Sequence, residues 1–158
     1  MPKVLIVDDH AFIRRGVQTI LHPFPEWEFC GEADNGTDAV QEVKRFRPHL
    51  VLMDIGLPGL NGLETTAEIL RCQPECKVVI LSMHEDEHSV VSAIRAGARA
   101  FILKRASDTE LLEAMRMVAA GGMYLSPQVS DRLLSRIQKG DLDPRPMPPV
   151  IEQLSRNA

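Results

Sequence analysis

Aromatic residues are scarce in this chain: one Trp, one Tyr and five Phe make up 4% of 158 residues, so any core must be built mainly from aliphatic side chains. Cysteine is scarcer and odd in number. Cys30, Cys72 and Cys76 lack the density of a disulfide scaffold, which points to a reducing compartment. Cys72 and Cys76 could supply two metal ligands, yet no Cys/His pair nearby completes a tetrahedral set. His84 and His88 are four apart, but a helix starts between them and they read as solvated surface residues. Long apolar runs are also missing. The longest, Leu50 to Met53 continuing at Ile55 after one Asp, is far below the roughly 20 residues needed to cross a bilayer. The N-terminal apolar run, Val4 to Val7, meets two aspartates where a secretory signal would continue apolar. A cytoplasmic chain with no membrane association is expected. Positive charge is not in excess either: 18 Lys and Arg against 22 Asp and Glu give a net charge of -4, which excludes a generally basic nucleic-acid surface. DNA binding would need a local patch.

What is present is alternation. Short apolar runs, Val4-Leu5-Ile6-Val7, Leu50-Val51-Leu52-Met53, Val78-Val79-Ile80-Leu81 and Ala100-Phe101-Ile102-Leu103, are separated by helical periodicity, the pattern of βα units around a parallel sheet. A fifth run, Glu28-Phe29-Cys30-Gly31-Glu32, is more polar and predicts an edge strand. The helices are marked by Phe12, Val17, Ile20 and Leu21; by Ala39, Val40, Val43 and Phe46; by Leu63, Ala67 and Leu70; by Val90, Val91, Ile94 and Ala98; and by Leu111, Leu112, Met115 and Val118. Asn61-Gly62 and Ser107-Asp108 are start signals, and Gly97 and Gly121-Gly122 are stops. These five units occupy residues 1–122. Residues 123–139 predict one more helix, with Ser126 as cap, Pro127 at its first position and Val129, Leu133, Leu134 and Ile137 as its apolar residues. Residues 140–158 hold the Pro-rich run Asp143 to Pro149 and predict a semi-rigid linker and tail.

The chemistry-bearing residues fall at strand ends, where ligands collect in an open parallel sheet. Asp8 and Asp9 follow the first run, Asp54 the third, Ser82 the fourth and Lys104 the fifth. A strand order of 2-1-3-4-5 would bring four of these ends around one cleft. Singly, each residue is explained by the chain turning there. Together they converge three carboxylates, a hydroxyl and an ammonium. Crowded carboxylates repel, and a hard, oxygen-seeking cation such as Mg2+ compensates them. Asp54, alone at the end of the central strand, is then a candidate nucleophile toward phosphorus, with Lys104 and Ser82 placed to meet phosphoryl oxygens.

With Val4 to His10, Leu50 to Gly62, Val79 to Ser82 and Gly97 to Lys104, the sequence resembles the receiver domain of two-component response regulators over residues 3 to about 122. The resemblance implies an α/β, flavodoxin-like (βα)5 fold, a doubly wound parallel sheet of order 2-1-3-4-5, to which the extra C-terminal helix is added. It implies Mg2+ held by Asp9, Asp54 and the backbone carbonyl of Gly56, with Asp8 assisting directly or through water. A sensor histidine kinase would deliver phosphoryl to Asp54. Ser82 and Phe101 match a coupled switch in which the hydroxyl turns toward the phosphoryl group and the aromatic follows it. Gly56 and His84 match positions that tune phosphoryl lifetime. Arg105 stands where many receivers have Pro, and a cis bond there is costly before a non-proline residue.

Lys104 to Ser107, Leu111 to Ala114 and Gly121 to Pro127 resemble the NarL/FixJ (LuxR-type) subgroup, whose members normally carry a C-terminal helix-turn-helix. Ile151 to Arg156 resembles the approach to such a domain, which is absent here. The expected function is a phosphorylation switch, not an enzyme in the ordinary sense, that controls transcription through that domain and can form a homodimer. A stand-alone receiver acting as phosphorelay shuttle or protein-binding adaptor is the alternative. A hydrolase on a similar fold would need a further acid or base, for which only His84 is near.

Overall fold

The structure, a computed structural model, describes residues 2–84 and 86–138. Its strands are β1 (Lys3–Val7), β2 (Glu28–Ala33), β3 (Leu50–Asp54), β4 (Lys77–Ser82), β5 (Ala100–Leu103) and β6 (Tyr124–Leu125). The helices are α1 (Ala11–Leu21), α2 (Gly36–Phe46), α3 (Gly62–Cys72), α4 (Glu87–Arg95), α5 (Asp108–Ala119) and α6 (Pro127–Gln138). The proposed linker and tail, from Gly140 onward, lie outside the described residues.

All neighbouring strands are parallel, in the order β2-β1-β3-β4-β5-β6. This is the expected doubly wound order with the polar run at one edge. The two-residue strand β6 extends it at the other edge, pairing Tyr124 with Ala100 and Phe101 with Leu125. Two residues have no readable period, so β6 is defined by its partner: Tyr124 N–H donates to Arg99 O at 2.9 Å.

Strand alternation sorts the core into two layers. Leu5, Val7, Val51, Met53, Val78, Ile80 and Phe101 face α2, α3, α4 and α6. Val4, Ile6, Leu50, Leu52, Val79, Leu81 and Ile102 face α1 and α5. Each such buried side chain contributes about 1.5–3 kcal/mol of transfer free energy, which offsets the entropy of ordering the chain.

Two helix faces differ from their sequence reading. Phe12 is 85% exposed, and the stripe of α1 that meets the sheet starts at Ile13 and continues through Val17, Ile20 and Leu21. Helix α3 buries Thr65, Thr66 and Ile69, with Leu63 and Leu70 only partly covered. The threonines were invisible to an apolar pattern because their hydroxyls are satisfied inside the helix: Thr65 Oγ1 donates to Asn61 O at 2.7 Å and Thr66 Oγ1 to Gly62 O at 2.7 Å. Helix α6 packs back on the domain. Val129 and Leu133 join Val90, Ala93 and Phe101 in one cluster, and Arg136 donates to Glu87 at 2.6 Å, while Leu134 faces solvent. The expected Ser126 cap is present, its Oγ accepting from Val129 N at 3.3 Å.

Candidate functional site

The order β2-β1-β3 reverses direction at β1, and the crevice at such a switch point opens at the carboxyl ends of β1 and β3. Asp8 follows β1 there and is wholly buried; Asp54 is the last residue of β3 and is 3% exposed. Lys104, just past β5, reaches between them, with Nζ 2.9 Å from Asp8 Oδ2 and 3.1 Å from Asp54 Oδ1. The Asp8 carboxylate also accepts from the His10 backbone N–H at 2.8 Å, and Asp54 Oδ1 accepts from Gly56 N–H at 3.0 Å.

Burial drives the Asp54 carboxyl above its ordinary value of 3.8, and the Asp8 charge adds to this; the Gly56 N–H and Lys104 pull the other way without cancelling it. Burial alone would discourage the Lys104 ammonium. The hydrogen bonds and fields of Asp8 and Asp54 outweigh that cost and hold it above its ordinary 10.5. The result is a buried, charged triad whose balance depends on one lysine.

The backbone that carries Asp54 is fixed from below. Asn61 caps α3, accepting from Glu64 N at 2.9 Å, while the Glu64 side chain accepts from Asn61 N. Gly62 follows, and a Cβ there would sit 2.1 Å from Asp54 O and 2.7 Å from Ile55 Cα. The Asn-Gly start signal is therefore also a close approach of helix to strand. Just past β1, the Arg14 guanidinium donates to Asp8 O at 2.6 Å and pairs with Glu32 at 2.7 Å.

Each of the predicted residues has a definite place. Ser82 ends β4, and its hydroxyl donates to His84 O at 2.7 Å and accepts from His84 N at 3.1 Å, so in this structure it serves its own loop. Phe101 is 2% exposed, packed on the α4 and α6 side of β5. His84 is exposed, and a Cβ at Gly56 would meet only Asp54 Oδ1, at 3.7 Å. The described peptide bonds, including that between Lys104 and Arg105, are trans. Cys72 and Cys76 are free thiols, and burial pushes Cys76 up to about 12.

Asp8, Asp9, Asp54 and His10 present ligand atoms that all lie within 4.8 Å of one another. Three carboxylates in that space match the oxygen donors of a hard divalent cation. Two members of this neighbourhood were given no role from sequence. His10, directly after the acidic pair, turns its ring onto both aspartates; Arg14, one helical turn into α1, reaches back to β1. Adjacency was the only signal for His10. For Arg14 there was none, since its contact depends on where α1 lies.

The family model of the response regulator receiver domain matches residues 4–116. The transcriptional regulatory protein DegU of Brevibacillus brevis is 36% identical over 137 residues, covering 87% of this chain and 58% of that protein. The response regulator GacA of Pseudomonas aeruginosa is 38% identical over 133 residues, 84% of this chain and 62% of its own length. The chain thus spans about three fifths of these relatives. Among solved structures, a LuxR-family two-component response regulator from an Aurantimonas species superimposes with a TM-score of 0.82 at 26% identity, over 86% of this chain and 97% of that one. Fold, strand-end acids and matched residues agree: this chain belongs to the response regulator receiver family, among regulators of the NarL/LuxR type.

Proposed function

We propose that residues 1–122 form a phospho-accepting receiver in which Asp54 takes a phosphoryl group from a sensor histidine kinase. The observation that carries this is the Lys104 ammonium seated between the buried carboxylates of Asp8 and Asp54 at the switch point of the sheet. An Asp54 oxygen attacks phosphorus as the bond from phosphorus to the donor's imidazole nitrogen breaks; that nitrogen keeps the electron pair. Lys104 pairs with the phosphoryl oxygens as their charge grows, and the Gly56 N–H orients the attacking carboxylate. Asp9, Asp54, the Gly56 carbonyl and Asp8, directly or through water, would hold a Mg2+ ion, which would supply neutralisation of the phosphoryl oxygen charge. The open space over Gly56 and exposed His84 set how readily water reaches the acyl phosphate.

Conformational output follows from two neighbours. Ser82 leaves the His84 backbone for a phosphoryl oxygen, and Phe101 moves with it beneath α4 and α6, shifting a two-state equilibrium. Helix α6 is the element that responds. The regulatory character of the relatives, one named as a transcriptional regulatory protein, supports transcription control through a DNA-binding domain; a homodimer as the acting form and a cytoplasmic location complete the proposal. No described helix is long and apolar enough to cross a membrane.

With Mg2+ and a small acyl phosphate, backbone amide spectra of the native chain are expected to shift from Asp54 through Ser82 and Phe101 into α4 and α6. Asp54→Asn should leave those signals in place. Unchanged spectra of the native chain would overturn the switch.

A further inference from the structure

The ring of His10 does something unusual for its place. His10 is the N-cap of α1, extended at φ -102° and ψ 113°, and its side chain makes no capping hydrogen bond. Asn35, Asn61, Asp86 and Ser107, by contrast, each accept from a backbone N–H of the helix they precede. An imidazole in place of such a cap leaves the first turn of α1 without side-chain support. The ring is instead laid on the acidic pocket, with Nδ1 3.2 Å from Asp8 Oδ1 and 3.2 Å from Asp9 Oδ1. The His10 backbone N–H is fixed to Asp8 as well, at 2.8 Å, so the residue is held by main chain and side chain together.

Resting on the reading that this pocket holds a divalent cation, we propose that His10 is a nitrogen ligand of that ion and biases the site toward a first-row transition metal over Mg2+. Around an octahedral ion with bonds of about 2.1 Å, adjacent donors are roughly 3 Å apart and opposite ones about 4.2 Å. The two 3.2 Å separations fit adjacent positions, and the full set of Asp8, Asp9, Asp54 and His10 donors lies within 4.8 Å, a little wider than the roughly 4.2 Å span of opposite donors, so the side chains must draw inward by about half an ångström to close on the ion. Three carboxylates alone form a hard, oxygen-only set suited to Mg2+. Adding an imidazole changes the ranking, because nitrogen donors bind Co2+, Ni2+ and Zn2+ more strongly in the Irving–Williams order, while Mg2+ gains little. The ring is two-thirds exposed, so a ligand at Nδ1 closes the mouth of the pocket and leaves the buried Asp8 and Asp54 carboxylates beneath.

The test uses the tag-free chain and two chloride salts, of Mg2+ and Co2+, titrated calorimetrically and, for Co2+, by its visible ligand-field absorption. His10→Ala is expected to weaken Co2+ binding about tenfold or more and change its absorption band, with Mg2+ affinity within about twofold of native. Asp9→Asn is expected to weaken both ions, which places both in this pocket. Parallel losses for the two ions in His10→Ala, no loss for either, or Co2+ binding indifferent to Asp9→Asn would each overturn the nitrogen-ligand assignment. If the native chain bound no Mg2+ that Asp9→Asn removes, the cation-site reading itself would fall, a result distinct from the other three.

Discussion

Lys104→Ala is expected to destabilise the domain by about 3–5 kcal/mol at pH 7, because it strips the cation from two buried carboxylates. Asp8 is wholly buried and Asp54 nearly so, and Lys104 lies 2.9 and 3.1 Å from them. Asp54→Asn acts in the opposite direction. Its carboxyl is raised above 3.8 by burial and by Asp8, so the fold favours its neutral form and is penalised when it ionises. That penalty is absent below about pH 3.8, where folded and unfolded chains are both protonated, and grows as pH rises through the folded value. Asp54→Asn should therefore be more stable than the native chain at pH 7, an advantage that shrinks as pH falls toward that limit. The Lys104 contribution has the other sign: it is complete below 10.5 and is lost as pH rises through the higher folded value. Urea midpoints of native, single and double variants complete the cycle. The double variant should be less destabilised than Lys104→Ala alone, since one of the stranded charges is gone. Strict additivity would contradict a coupled triad.

The second large effect is steric. Gly62→Ala forces a Cβ to within 2.1 Å of the Asp54 carbonyl and 2.7 Å of Ile55 Cα, both backbone atoms at the end of β3. No rotamer change relieves that, so the strand end or α3 must move, at a cost of about 3 kcal/mol or more. Gly16, in the middle of α1, supplies the contrast: a Cβ there meets nothing within 4 Å. Gly16→Ala should stabilise by about 0.5–1 kcal/mol through helix propensity alone. Thermal midpoints should move in opposite directions for the two variants. A Gly62→Ala chain as stable as native would show that α3 does not lie against β3 as closely as described.

The strands were legible because residues covered on both faces must be apolar along their whole length, as in Val4 to Val7 and Leu50 to Met53. Their ends were legible for the complementary reason: Asp8, Asp54 and Lys104 interrupt apolar runs at equivalent positions, so a parallel sheet gathers them. What could not be read depends on distances between elements. Strand β6 exists through its pairing with β5, and Thr65 and Thr66 are buried because hydroxyls close onto their own helix. Phe12 counted as core by its period but sits at the rim, one residue off the buried stripe. Gly62 was read as a helix start, and its clearance against β3 became visible only when α3 was placed. The hydroxyl of Ser82 was expected to face phosphoryl chemistry, and here it is held by His84, a local bond that no periodicity encodes.

The most direct measurement is the intact mass of the chain after incubation with Mg2+ and a small acyl phosphate, with Asp54→Asn beside it. One added phosphoryl group on the native chain, removed by hydroxylamine as an acyl phosphate should be and absent from Asp54→Asn, is the predicted result. A native chain that gains no mass, or an Asp54→Asn chain that gains as much, would contradict the assignment of Asp54 as phosphoacceptor.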